Sequence, residues 1–283
     1  MSMRRTAVAT PLCLAALWLS SCSGGPPKMG TPEWYWSAAK EQFSAGDYTK
    51  TQAHLEELVG GESAFKPRAA AWNLVVMAGL ARGYRELAEA YEAGGMATKN
   101  QSAAFLRTAN EMQRSSRQYA IGLAERTPAF LKSTAGVDQY SLEFAFPAGS
   151  AAEAPALTNI RKGSMPLDGE RLTAQRQTLA RGLVLQTSAA VGAGEDAAKA
   201  AEMFKTSPVQ VSRAVFLCGL AEGILQGSAI FDRKKLNEPD KKKILLQVAA
   251  DSVAPAADSS DPELKKRAKD IQARIEKEQK GRG

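Results

Sequence analysis

Three observations predict an all-α protein. Apolar residues recur at helical spacing along most of the chain, alanine is abundant where β-branched residues are few, and cap signatures mark helix starts. The first signature is Thr31-Pro32-Glu33: Thr31 can cap, Pro32 suits the first helical position, and Glu33 favours the positive end of the dipole. A short helical pair follows at 33–45 and 48–59, divided by Ala45-Gly46-Asp47. A longer helix from Pro67 to Glu92 carries Trp72, Val75, Val76, Gly79, Leu80, Gly83, Leu87 and Tyr91 in one stripe, with small residues where another helix can approach closely. The next runs from Ser102 to Arg126.

The pattern breaks between Thr127 and Leu167, which hold Pro128, Pro147, Pro155 and Pro166 and an Ala/Gly/Ser-rich stretch at 148–156. Within it Leu142-Glu143-Phe144-Ala145-Phe146 alternates like a strand. Residues 127–167 are therefore read as a proline-rich irregular insert between helical halves at 31–126 and 168–283, and inserts of this length are commonly functional or disordered. Helical periodicity resumes in segments at 169–191, 195–204, 208–231 and 240–252. Asp261-Pro262-Glu263 opens the last helix, whose narrow stripe of Leu264, Ala268, Ile271 and Ile275 predicts packing along one groove.

The halves share short stretches. Ala78-Gly79-Leu80-Ala81-Arg82-Gly83 aligns with Cys218-Gly219-Leu220-Ala221-Glu222-Gly223, and Ala45-Gly46-Asp47-Tyr48 with Ala193-Gly194-Glu195-Asp196 after an eight-residue shift. Duplication accounts for both matches. Chance similarity between alanine-rich helices does so equally, and both remain open.

Trp34 to Val59 resembles a tetratricopeptide repeat. Tyr35 stands near the early aromatic position, Ala38 and Ala39 are small contact residues, Gly46-Asp47-Tyr48 matches the inter-helix turn, and Leu55 and Leu58 suit the second helix. Gln42 in place of the central aromatic, Thr51 in place of alanine and the lack of a closing proline at Ser63 depart from the pattern. The resemblance covers one unit and implies a degenerate helical hairpin array of the α-solenoid kind, binding protein or peptide on a concave face.

The first two dozen residues have the layout of a secretory signal: Arg4-Arg5, an apolar run from Thr6 to Leu19, then small residues. Leu19-Ser20-Ser21-Cys22 resembles the lipobox of bacterial lipoproteins. The resemblance implies removal of residues 1–21 and attachment of lipid, palmitate among its acyl chains, to Cys22. The apolar run is shorter than the about 20 residues a membrane span requires. Ser23 stands where an inner-membrane retention signal has aspartate, which in a Gram-negative cell implies the periplasmic face of the outer membrane. Residues 22–30 read as a flexible tether, and about eight stretched residues reach roughly 25–30 Å, beyond the headgroups.

Without residues 1–21 the chain keeps 262 residues, enough to bury most of its apolar surface unstapled. Cys218 is then the one cysteine besides Cys22, so no internal disulfide framework exists, and its apolar setting predicts a buried structural thiol. The formal charge of +7 becomes +5 once Arg4 and Arg5 leave, with eight basic and three acidic residues from Lys265 to Gly283. A basic tail can meet anionic lipid or an acidic polymer, and it is read here as a solvated helix face. Nucleic acid is not expected to meet a secreted, lipid-anchored protein.

No catalytic constellation emerges. His54 is the sole histidine, which excludes the paired histidines of a zinc-protease helix, and it reads as a polar surface position on a short amphipathic helix. Ser37-Ala38-Ala39-Lys40 fits Ser-x-x-Lys, but the Ser-Asp-Asn and Lys-Thr-Gly motifs of penicillin-recognising enzymes are missing. Gly192-Ala193-Gly194-Glu195-Asp196-Ala197 fits a dinucleotide fingerprint but follows a helical pattern rather than a strand. Adjacent acids such as Glu56 and Glu57 read as solvated. The candidate partner-binding residues are Trp34, Tyr35 and Trp36, which cannot all share one helical face and for which core packing is the leading alternative, and Phe144 and Phe146 in the insert, where a satellite hydrophobic cluster beneath the loop is the stronger reading over a peptide-docking edge. The expectation is a lipid-anchored, non-catalytic envelope scaffold or adaptor with a protein partner and without cofactor or metal. The alternative is a helical solute-binding component associated with a transporter.

Overall fold

The computed structural model describes residues 26–98, 100–206 and 208–281. Cys22, the signal region 1–21 and the tether residues 22–25 lie outside the described residues. Ten α-helices and one two-stranded sheet make up the described residues, an all-α helical array.

The array is organised around α3 (Lys66–Ala97). At 32 residues it is about 48 Å long, and every residue from Ala71 to Ala81 is buried, as expected of a helix apolar on all sides. The amphipathic α4 (Ser102–Ser133) folds back along it. Ser116 Oγ donates to the Ala81 carbonyl at 2.9 Å, while Gly122 meets Met77 and Gly94 meets Phe105, so the pairing advances in opposite directions on the two helices. On another side lies α6 (Asp168–Ala190), also antiparallel: Gly79 faces Leu183 and Gly83 faces Leu179. Next to α6 runs α8 (Arg213–Ser228), with Gly219 against Ala189 and Gly223 against Gln186. Gly79 and Gly219 let backbone come close where a Cβ would collide. With the 3₁₀ turn Ala229–Phe231, α8 is long and apolar enough to cross a membrane, mean hydropathy 1.6, but 72% of that window is buried inside the protein.

The hairpin of α1 (Pro32–Ser44) and α2 (Tyr48–Gly60) covers the start of α3. Thr31 caps α1 by accepting from the Trp34 amide at 3.3 Å, and Asp47 caps α2 by accepting from the Lys50 amide at 3.1 Å. Gly46 between them sits at φ +77°, a left-handed conformation at the expected inter-helix turn. At the other end, α9 (Pro239–Ala257) packs on α8 and α4, and α10 (Pro262–Lys280) packs on α9 and α8 through Leu264, Ala268, Ile271 and Ile275, all buried as the stripe predicts.

The insert is more ordered than its prolines suggest. α4 continues through Pro128 to Ser133, because Thr127 and Phe130 extend its buried stripe. A helical turn, α5 (Pro155–Arg161), packs on the end of α3, and α7 (Ala197–Met203) packs on α6. β1 is Gln139–Leu142, three residues before the expected alternation, and pairs antiparallel with β2 (Val209–Ser212) in the register Gln139↔Ser212 to Leu142↔Val209. The sequence reading has helix at 209–212. Val209 and Val211 are buried while Gln210 and Ser212 are exposed, a period of two that a longer helical window hides.

Candidate interaction surface

Trp36, Ala39 and Phe43 are the buried positions of α1, at spacings of three and four. That places Trp36 inward and turns Trp34 and Tyr35 away from it by roughly 200° and 100°. On α2 the buried face is Tyr48, Thr51, Leu55 and Leu58, which leaves His54 on the flank nearest α1. Trp34, Tyr35 and His54 therefore meet on the outer seam of the hairpin. Ring centroids are 5.1 Å apart for Trp34–Tyr35, 5.3 Å for Trp34–His54 and 5.9 Å for Tyr35–His54, the first two pairs edge to face. All three are half-buried, so each offers ring surface at a position already ordered by its neighbours, which lowers the conformational cost of a contact.

Trp36 is corrected from a contact residue to a core residue. It stacks on Phe65 at 5.5 Å and meets Trp72 edge-on at 5.4 Å. Phe144 is likewise core: it is 2% exposed and lies parallel to Trp72 at 4.9 Å, with Phe43 edge-on at 5.9 Å. Phe146 is half-buried against Phe204 at 5.6 Å. A salt bridge from Arg68 to Glu143 at 2.5 Å and a hydrogen bond from the Tyr48 hydroxyl to the Ala148 carbonyl at 3.4 Å pin the same stretch. These insert aromatics are thus spent on joining the insert to the N-terminal hairpin and to the end of α7. As placed, Trp36 and Phe144 present a partner with almost no surface.

His54 is the member of the trio that the sequence reading left as an isolated polar position. Its signal is positional: on α2 it falls one residue before buried Leu55, on the side that an antiparallel hairpin turns toward α1. The other sequence motifs gain no chemistry. Ser37 and Lys40 are both exposed on α1 and no hydrogen bond joins them. Gly192 and Gly194, at φ +82° and +63°, form the turn that ends α6, so no strand precedes them. Cys218 is fully buried, and burial pushes its thiol up to about 11, the opposite of what a nucleophile needs. Among the described residues no group of three His, Cys, Asp or Glu side chains converges to hold a metal.

The hairpin surface can therefore form an apolar, ring-lined contact with a polar edge. No protein-family model matches the chain, and no curated protein or solved structure is similar to it at a significant level.

Proposed function

We propose that the chain is an envelope lipoprotein, held to the membrane through lipid on Cys22 and acting as a non-catalytic scaffold or adaptor. In a Gram-negative cell its place is the periplasmic face of the outer membrane. The observation that carries the docking role is the half-exposed cluster of Trp34, Tyr35 and His54 on the α1–α2 seam. It begins only a short tether away from the anchor position, so a partner docked there is held close to the membrane.

The test is native mass spectrometry of tagged protein from the periplasm, comparing Cys22→Ser with Cys22→Ser/Trp34→Ala/Tyr35→Ala. A reproducible protein complex that the triple variant loses while keeping its helical circular dichroism supports the scaffold. A complex that survives both ring deletions moves the contact elsewhere. The anchor is read separately: the intact mass of protein with Cys22 retained exceeds that of Cys22→Ser by the acyl chains, and equal masses would sink the lipoprotein reading.

A second reading, a solute-binding component, draws on a cleft of about 450 Å³ between α5 and the start of α6, with Asn159, Ser164, Glu170 and Thr173 among its walls. A monomer carrying a discrete small-molecule mass in the same experiment favours it.

A further inference from the structure

A second cavity, about 280 Å³, opens where α3, α8 and α10 meet. Its walls combine Arg85 of α3, Arg274 and Lys277 of α10, and Gln226 of α8 with the apolar Leu225 and Ala229. Glu278, the acid in this lining, is engaged by Lys242 at 2.6 Å. Arg274 reaches Glu222 only at 3.6 Å, and Glu222 is already held by Arg267 at 2.6 Å. Arg85 and Lys277 have no ion pair among the described residues. The Arg85 Nε is buried without a hydrogen-bond partner, and so is the Gln226 Oε1.

The site is cation-rich: Arg85, Arg274 and Lys277 stand against one lining acid, Glu278. A buried guanidinium N–H and a buried amide oxygen each lose about 1–3 kcal/mol if left unpaired, and both belong to residues that line the cavity alongside Arg274 and Lys277. Arg82 lies one turn before Arg85 on α3. Burial first, and then the charges of Arg181 and Arg85, hold the Arg82 guanidinium below the usual arginine range.

We infer that this cavity binds a phosphate-class oxyanion. The guanidinium groups of Arg85 and Arg274 and the Lys277 ammonium supply donors around a tetrahedral set of oxygens, and a guanidinium fork matches phosphate geometry. A turn of the Gln226 side chain brings its Oε1 out to accept from a hydroxyl, either of a protonated phosphate oxygen or of an attached polyol, and Leu225 with Ala229 lines the wall for the carbon part. The volume lies just below the about 300–1,000 Å³ of ordinary small-molecule sites, which suits a headgroup-sized ester. Two sources offer that chemistry: a free phosphate ester, or the headgroup of an anionic phospholipid. The site stands independently of the hairpin surface, since the two share no residue.

The experiment uses the full chain carrying Cys22→Ser, so that the anchor adds nothing to membrane binding. It is titrated calorimetrically at fixed ionic strength with inorganic phosphate, glycerol 3-phosphate and acetate, and sedimented with phosphatidylglycerol vesicles. Saturable binding of the two phosphates, at least about tenfold tighter than acetate and weakened at least about tenfold by Arg85→Gln or Lys277→Gln, supports a free ester. Vesicle binding lost in the same variants, with weak titration by the soluble ions, supports the headgroup. Lys277 is exposed, so its substitution keeps the comparison sound if Arg85→Gln disturbs folding. Acetate binding as tight as phosphate, absence of both titration and vesicle binding, or vesicle binding that neither variant weakens overturns the inference.

Discussion

Ala78–Gly83 of α3 and Cys218–Gly223 of α8 carry nearly the same hexapeptide and press on the same helix, α6, from two sides. In both, glycines one turn apart remove the Cβ atoms that would hold the backbones apart. What lies opposite differs. A Cβ on Gly79 would sit 2.8 Å from the Leu183 Cα and one on Gly83 would sit 3.0 Å from the Leu179 Cα, while α6 answers with its own Gly182 against the Gly79 carbonyl. On the α8 side Gly219 meets the Ala189 backbone, but Gly223 faces the side chain of Gln186, whose amide donates to the Gly219 carbonyl at 3.1 Å. In one contact every glycine has backbone of the facing helix within about 3 Å of where its Cβ would sit. The other is half backbone and half movable side chain. Equal spacing in the sequence therefore does not mean equal tolerance to change.

The largest effect is expected at Gly182. A Cβ there collides with the Gly79 carbonyl and lies 3.0 Å from the Gly83 amide nitrogen. Neither helix can yield without moving the core. Gly182→Ala should destabilise by about 3 kcal/mol, even after the gain of about 1 kcal/mol in helix propensity. The urea midpoint measures it. A loss under about 1 kcal/mol would show that α3 and α6 are less tightly seated than these distances require.

That close contact was legible in outline. Gly79 and Gly83 stand on a predicted apolar stripe, and the α10 stripe and the caps at Thr31 and Asp261 sit where the sequence places them. The partner of the glycines was not legible, because Gly182 lies about a hundred residues away and α6 has no stripe that singles it out. The packing of the insert was legible only in kind. Phe144 reads as a cluster residue or an edge, and Trp72, 72 positions earlier, is what folds against it. β1 and β2 are each four residues long and satisfy each other's backbone, a pairing no local window contains. The exposed half of the aromatic seam was visible as three consecutive rings, but which of them faces outward depended on the α1 period.

The next effect separates the two hexapeptides by chemistry, since Cys218 occupies the place of Ala78. Burial raises the thiol to about 11 from its ordinary value of 9.0 against a smaller opposing pull from Arg267. Between these values the unfolded chain ionises while the folded chain holds its proton. The thiol's contribution is therefore intact below pH 9 and lost as pH rises through 11, by about 2 kcal/mol. Buried Tyr48, Tyr84, Tyr91 and Tyr119, all raised by desolvation, weaken the fold in the same direction. Cys218→Ala keeps those tyrosines, so the difference in stability between wild type and Cys218→Ala, followed from pH 8 to pH 11, isolates the thiol. A constant difference would mean that the thiol is not excluded from water.

Gly223→Ala is expected to cost about 1 kcal/mol, well below Gly182→Ala. The new methyl meets Gln186 Oε1 first, and that side chain can rotate away, giving up its bond to the Gly219 carbonyl. The Ala78 Cβ at 3.0 Å then needs only a few tenths of an ångström. Equal urea midpoints for Gly223→Ala and Gly182→Ala would erase the distinction between the two flanks of α6.

The smallest expected effect concerns the fifth position of each hexapeptide, where Arg82 and Glu222 have opposite charge. Glu222 joins Arg267 at 2.6 Å, and Arg267 also donates to the Ala189 carbonyl at 3.3 Å, so this carboxylate ties α10 to both α8 and the end of α6. Arg82 reaches Glu195 only at 3.8 Å, with the Glu195 side chain 84% exposed, and it is repelled by Arg181 and Arg85. Glu222→Gln should therefore cost about 0.5 kcal/mol and shrink in 1 M salt, while Arg82→Gln should be neutral within the same range. Hydrogen exchange is the sensitive readout, because loss of the Glu222 pair releases the α10 amides before the whole protein unfolds. Faster exchange across 262–280 in Glu222→Gln alone identifies this charge as the one that recruits the last helix. Equal exchange in both variants would return α10 entirely to its apolar stripe and leave the reversed charge without a structural role.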